Sequence, residues 1–325
     1  MVSRAKPVVC IVTPATSSSN NGNWRTAARW SQMLRDRYRV IVQTDWDGAP
    51  VDALIALHAR RSAGSIADYR ERHPDGPLAV VLTGTDLYRD LPQSVEAQRS
   101  LDLADRIVVL QDDALRILGR KWRRKATVVF QSAPSLDAPR RKPEGRLDCV
   151  VVGHLRPEKS PQTVWEAVAL LPPDLPIRIR HIGAALEPGL GDRARECERA
   201  DDRYRYVGAL PHGRTRAAMR AAHVLIHPSV MEGGANVIVE AIMAGTPVIA
   251  SRMSGNVGML GRVYDGYFKV GDARALARLL EKAAEDRRFL RSLEQACRKR
   301  RALFRPQAEQ AAVRRLVADL LKARR

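Results

Sequence analysis

The chain has 325 residues, 45% of them hydrophobic and 28% charged, the balance of a folded globular protein long enough for two ordinary domains. Its 55 Lys and Arg exceed its 36 Asp and Glu, giving a formal net charge of +19. Only nine of the 55 are Lys. The Arg residues are dispersed over both halves, with no basic tail or recognised nucleic-acid module, which argues against a nucleic-acid-binding protein. Cys10, Cys149, Cys197 and Cys297 are too far apart for zinc or redox pairing, and they suit a reducing, cytoplasmic setting. No apolar run approaches the ~20 residues of a membrane span, and the stretch after Met1 lacks a signal-peptide pattern.

Short β-branched runs alternate with longer amphipathic stretches, the grammar of a parallel sheet with crossover helices. Val8–Thr13 reads as a buried strand. A polar loop, Ala15–Asn23, leads into a helix from Trp24 to about Arg37. Further strands are expected at Arg39–Gln43, Ala53–His58, Leu78–Leu82, Arg106–Leu110 and Thr127–Phe130. Residues 132–146 hold three prolines, one glycine and mixed charge, and read as a linker. The alternation then restarts. Strands are expected at Leu147–Val152, Ile177–Ile182, Tyr204–Val207, Val224–His227 and Pro247–Ala250. Helices are expected at Pro161–Leu171, Gly191–Ala200, Arg214–Ala222, Asn236–Ala244 and Ala273–Ala284. Pro306–Lys322 is a final helix. The pattern predicts domains over 1–143 and 144–304, with the helix in 305–325 crossing back to the first. Two αβα domains on one linker would face their strand ends across a cleft, where ligands of such sheets bind.

The richest segment is His227–Ser251, HPSVMEGGANVIVEAIMAGTPVIAS. Glu232 lies in a glycine-rich loop after a strand, Asn236 opens a helix, and Glu240 sits about one turn inside it. The backbone N–H groups of Gly233, Gly234, Ala235 and Asn236 would gather at a helix N-terminus, suited to a diphosphate or sugar oxygens. Two carboxylates flanking such a site can accept hydrogen bonds from sugar and ribose hydroxyls. This segment resembles the signature of the retaining glycosyltransferases grouped as family 4, which have the GT-B fold. The resemblance implies that Glu232 faces the hexose of a nucleotide-sugar and Glu240 its ribose.

Val151–Ser160, VVGHLRPEKS, resembles the family's strand-end loop, in which an Arg after the glycine and a Lys further on grip the donor diphosphate. Gly153 and Lys159 match. His154 stands where the family has Arg, and Arg156 lies two residues on; either is a candidate for the missing Arg. Ser254–Gly261, SGNVGMLG, is similar to a glycine-rich loop that presents backbone to acceptor or donor phosphate, with Gly255 and Asn256 as candidates. In the first half, Asn20, Gly22 and Asn23 in the polar loop could contact acceptor or diphosphate. Thr85 and Asp86 of TGTDLY would reach the cleft where family members often carry His-Gly. Arg60 and Arg61 after the Ala53–His58 strand could bind a small anion.

Together, NNGNWRTAARW (20–30), ALHARRSA (56–63), LTGTDLYRDL (82–91), GHLRPEKSP (153–161) and SGNVGMLG (254–261) resemble one branch of the family, the selenosugar synthases of selenoneine biosynthesis. That likeness implies a UDP-sugar donor, glucose or N-acetylglucosamine, and selenophosphate as acceptor, with Glu232, Lys159 and Arg156 as the catalytic set. An ordinary family 4 enzyme acting on a sugar or lipid acceptor is the alternative. A membrane-directed version would use basic stretches such as Lys121–Lys125. A nucleotide-sugar epimerase is a further rival, and a nicotinamide enzyme is disfavoured because no GxGxxG follows the first strand. Asp45 and Asp47 have Asp-x-Asp spacing but lie in a turn-like stretch. With diphosphate neutralised by Lys, Arg and a helix N-terminus, no metal or other cofactor is expected.

Overall fold

The structure is a computed structural model that describes residues 5–15, 22–136 and 142–322. It comprises two units, one formed by residues 1–131 with 306–325 and the other by residues 132–305. The division falls twelve residues before the expected boundary. The physical reason is that the proline-bearing stretch is tied into the second unit: Ala133 N–H donates to Phe304 O, Leu136 N–H to Met243 O, and Arg216 to Pro134 O.

The first unit runs β1 (Val8–Val12), α1 (Gly22–Leu34), β2 (Arg39–Gln43), β3 (Ala53–Leu57), α2 (Ala63–Arg72), β4 (Leu78–Val81), α3 (Val95–Leu103), β5 (Arg106–Val109), α4 (Arg120–Arg123) and β6 (Ala126–Val128). The second runs β7 (Leu147–Val152), α5 (Pro161–Ala169), β8 (Ile177–Ile182), α6 (Leu190–Ala200), β9 (Tyr204–Gly208), α7 (His212–Ala221), β10 (Val224–His227), α8 (Asn236–Met243), β11 (Val248–Ser251), α9 (Ser254–Leu260), β12 (Tyr267–Phe268), α10 (Ala273–Glu285) and α11 (Arg287–Arg300). The last helix, α12 (Pro306–Lys322), belongs to the first unit.

Each unit holds one six-stranded sheet, ordered β2-β1-β3-β4-β5-β6 and β12-β11-β10-β7-β8-β9, with parallel pairing throughout. A parallel sheet is covered by helices on both faces, so its central strands are apolar on both sides. Accordingly every residue of β3, β4 and β10 is buried. In the first unit, Val9, Ile11, Ile55, Leu57 and Val81 form one core with Trp30 and Leu34 of α1 and with Val313, Leu316, Val317 and Leu320 of α12. The opposite face packs Cys10, Leu54, Val80 and Ile107 against Ile66, Tyr69 and Leu101.

Two departures from the sequence reading concern strand ends. The third strand stops at Leu57, and His58 turns away with φ of 75°, which re-aims the Arg60–Arg61 turn. Ser254–Leu260 is helical, where a glycine-rich loop is expected from its composition.

The C-terminal helix is fixed to α1 by a buried charge. Glu309, 1% exposed, accepts from Arg29 Nε at 2.8 Å and from Trp30 Nε1 at 2.8 Å. Removing one partner of a buried ion pair leaves the other uncompensated, at a cost of about 3–5 kcal/mol. Glu309→Ala should therefore destabilise the protein by about 3 kcal/mol, read as a lowered urea midpoint. Glu309→Gln should lose less, because it retains an acceptor for Trp30.

Candidate active site

In a doubly wound sheet the ligand crevice opens where the winding reverses, beyond the carboxyl ends of the two strands that flank the reversal. In the second unit that point lies between β7 and β10, since β8 and β9 extend to one side of β7 and β10–β12 to the other. The segment after β7 carries Gly153 to Lys159, and the segment after β10 carries Ser229 to Asn236. The two motif segments are thus neighbours. Val230 N–H donates to Glu158 O at 2.9 Å, and Lys159 Nζ forms an ion pair with Glu232 Oε1.

Glu232 is largely buried, 12% exposed at its side chain. His227 Nε2 lies 3.3 Å from the same oxygen. Burial pushes the Glu232 carboxyl up, but the Lys159 charge, the His227 imidazole and the Lys159 hydrogen bond together outweigh it. The carboxyl is held well below the usual carboxylate range. The site therefore keeps a fixed anion beside a cation that is still 30% exposed.

Local packing explains the glycines. The Lys159 stem lies over Gly153, in ordinary van der Waals contact with the space a Cβ would fill. A Cβ on Gly255 would overlap Glu232 O, so the start of α9 sits directly against the backbone of Glu232. Asn256 is fully buried, and its Nδ2 donates to Ser251 O at 2.9 Å and Ser251 Oγ at 3.0 Å. Ser251 Oγ in turn donates to Ser229 O. This chain of bonds joins β11 to the loop carrying Glu232. Gly255 and Asn256, expected in a loop that presents backbone to phosphate, also hold that loop in place.

Gly233 and Ala235 are buried, Gly234 and Asn236 half-buried. Asn236 is the first residue of α8, which lacks a side-chain cap. Glu240, 13% exposed, pairs with His212 Nε2 at 2.9 Å. His154, expected near the diphosphate, is exposed and accepts from Ala184 N–H through Nδ1 at 3.0 Å, which braces the turn after β8. Arg156 is 45% exposed, with Glu158 Oε1 3.7 Å away. Its guanidinium is the more available of the two candidates for the absent Arg.

In the first unit the reversal lies between β1 and β3. Gly22 and Asn23 begin α1 after β1, while Asn20 lies outside the described residues. The turn after β3 is internally tied. Asp86, fully buried, accepts from Ala59 N–H at 2.8 Å and Arg60 N–H at 3.4 Å. It therefore acts as a brace, where the sequence predicts a group facing ligand. Thr85 Oγ1 contacts His58 Nε2 at 3.4 Å, and Arg60 Nε contacts Asp90 Oδ2 at 3.1 Å. Arg61 projects from this turn, exposed. Among the described residues one trio of metal-ligand types comes together, His58, Asp86 and Asp90, and its oxygens already serve Ala59, Arg60 and Arg89. Asp47 accepts from Gln43 and Ala49, a turn brace. The Lys121–Lys125 stretch is partly engaged as well: Lys121 and Trp122 bind Asp102, and Lys125 caps Asp102 O and Ala104 O.

Residues 133–300, just over half of the chain, match the family model described as glycosyl transferases group 1. The chain belongs to this family. It is 34% identical over 142 residues to the D-inositol 3-phosphate glycosyltransferase of Corynebacterium glutamicum (strain R), covering 40% of this chain and 34% of that protein. It is 36% identical over 86 residues to the 2-deoxystreptamine glucosyltransferase of Streptomyces kanamyceticus, covering 26% and 22%. The matches span less than half the length of these curated relatives. Among solved structures, the sucrose-phosphate synthase of Thermosynechococcus elongatus superimposes with a TM-score of 0.78 at 18% identity, over 98% of this chain and 100% of that one. Anabaena HepE in complex with UDP-glucose gives 0.72 at 14%, over 96% and 100%. These likenesses establish the GT-B fold, with two Rossmann-like units. Among the described residues no helix is long and apolar enough to cross a membrane.

Sequence reasoning missed His227 and His212. His227 opens the signature segment and carries a visible signal, an ionisable residue at a strand's carboxyl end. His212 carries none, because it meets Glu240 across 28 residues.

Two predictions follow from this packing. Gly255→Ala should displace the Glu232 loop, reduce turnover at least tenfold, about 1.4 kcal/mol of transition-state stabilisation, and lower the melting temperature, because the overlap with Glu232 O costs about 1–3 kcal/mol of stability. For Lys159→Met the sign is set by the depressed carboxyl of Glu232. In the parent, stability from the ionised Glu232 is present above the unfolded-state value of about 4.3, and it is lost only as pH falls through the lower folded value. Without Lys159 that loss should begin at higher pH, measured by carboxyl-carbon NMR titration and by melting temperature between pH 3 and 7.

Proposed function

We propose that this protein transfers a hexosyl group from a UDP-sugar, UDP-glucose or UDP-N-acetylglucosamine, to selenophosphate. The products would be a 1-selenosugar for selenoneine biosynthesis, UDP and phosphate. The observation that carries the donor half is the Lys159–Glu232 pair at the reversal of the second sheet. Glu232 accepts hydroxyl hydrogens of the hexose, and Glu240 those of the ribose. Lys159, with Arg156 beside it, neutralises the charge that grows on the diphosphate as the bond to C1 breaks. That bond's electron pair leaves with UDP. Selenium supplies the pair for the new C1–Se bond, and hydrolysis of the P–Se bond by water releases phosphate.

The selenophosphate acceptor is supported by the resemblance of five segments across the chain to selenosugar synthases. An anionic selenium needs little deprotonation, and the exposed Arg156 beside Lys159 supplies a cation for an oxyanion. In this reading Lys159 and Arg156 neutralise the charge on the diphosphate, so activity is expected to persist in EDTA. The second reading is transfer to a sugar or lipid acceptor. It is favoured by the curated relatives, several of which are named D-inositol 3-phosphate glycosyltransferases.

An acceptor screen separates the two. Each UDP-sugar is mixed with selenophosphate, thiophosphate, phosphate, inositol phosphate or simple sugars, and products are read by mass spectrometry. A selenium-bearing hexose product supports the first reading, whereas transfer confined to a hydroxyl acceptor favours the second. Glu232→Ala and Glu240→Ala should each reduce turnover by about a hundredfold or more. Glu240→Ala should keep a melting temperature near that of the parent, whereas Glu232→Ala should lower it, because Lys159 and His227 lose their carboxylate partner. Near-parental activity in both would remove the donor assignment.

A further inference from the structure

The partner of Glu240 is not among the residues that the donor reading uses. His212 is the first residue of α7, after Pro211, and its Nε2 lies 2.9 Å from Glu240 Oε1. A carboxylate only accepts, so Nε2 carries the hydrogen of this bond. The imidazole is 51% exposed and the Glu240 side chain 13%. A buried structural staple would hide both partners; here the histidine stands open while the carboxylate is recessed. Beyond His212 the Glu240 side chain has no hydrogen-bonding or ionic partner among the described residues, which leaves Oε2 uncommitted. Both α7 and α8 follow strands of a parallel sheet, so their first turns lie at its carboxyl end, where Lys159 and Glu232 also stand.

We propose that His212 is a positioning residue of the nucleotide site. It holds Glu240 Oε1 and so presents the carboxylate to the vicinal hydroxyls of the ribose in a nucleoside diphosphate. This rests on the reading of Glu240 as the ribose acceptor. A free glutamate samples several rotamers and must be ordered when ligand binds. One already held by a hydrogen bond has met that cost beforehand, which strengthens binding without a new contact to the ligand. The effect is confined to ligands that use the carboxylate, which separates positioning from a general packing role.

The test measures binding by calorimetry, so it requires no knowledge of the acceptor. UDP and its 2′,3′-dideoxy analogue are titrated into the parent, His212→Ala, His212→Gln and Glu240→Ala. His212→Ala should raise the UDP dissociation constant about tenfold and leave that of the dideoxy analogue unchanged. His212→Gln, whose amide can donate to the same oxygen, should recover most of the loss, and its melting curve checks the fold. Unchanged UDP binding in His212→Ala overturns the proposal, as does an equal loss for both ligands. The Glu240→Ala arm tells this failure from that of the underlying reading. If Glu240→Ala weakens UDP but not the dideoxy analogue, the ribose reading stands and His212 is judged alone. If Glu240→Ala binds UDP like the parent, the ribose reading falls and takes this proposal with it.

Discussion

The structure depends on one topological constraint, the reversal of winding in each parallel sheet. Helices that begin on opposite faces diverge at that point, so the loops after the two central strands are left uncovered by a crossover. In the second sheet those loops are Gly153–Lys159 and Ser229–Asn236, which places a lysine and a glutamate from sequence-distant motifs in contact. The same reversal in the first sheet exposes the start of α1 and the turn bearing Arg60 and Arg61. The candidate site residues gather there because the strands themselves are buried on both faces.

Electrostatics at the second reversal are arranged in advance. Glu232 is desolvated, which alone would favour its neutral form, yet Lys159 and His227 keep it charged. The cation keeps part of its surface open while its carboxylate partner orients it, the arrangement that the proposed donor reading uses for a diphosphate. A preset charge pair avoids reorganisation when charge develops on a leaving group. Of the large excess of basic residues, Lys159 is the one paired with Glu232 among the described residues. Many others, such as Arg29, Arg70 and Arg203, are engaged in local ion pairs.

Much of this was legible in the sequence. The β-branched runs locate the strands because parallel strands are buried on both faces, and the Glu232–Glu240 segment declares itself by glycine spacing at a strand-to-helix turn. Less legible were the residues whose roles arise from tertiary contact. Asp86 looks like a strand-end ligand, and only the fold shows its oxygens occupied by Ala59 and Arg60. His154 likewise sits in a donor motif but braces Ala184. Ser254–Leu260 reads as a loop from its glycines. It is a helix whose Gly255 lies against the Glu232 backbone, a contact that appears only when β10 and β11 are side by side. The His212–Glu240 pair has no signal in either segment alone.

The placement of α12 gives the chain an order of completion. The first unit's core needs Val313, Leu316, Val317 and Leu320, while the whole of 132–305 intervenes. During synthesis the second unit therefore has all its parts before the first does. The unit built on residues 1–131 waits, with the α12-facing side of Trp30 and Leu34 uncovered, until the ribosome has delivered α12. That interval is when its apolar face is open to other chains, and a nascent chain stalled anywhere in 132–305 would carry one unit that is unfinished.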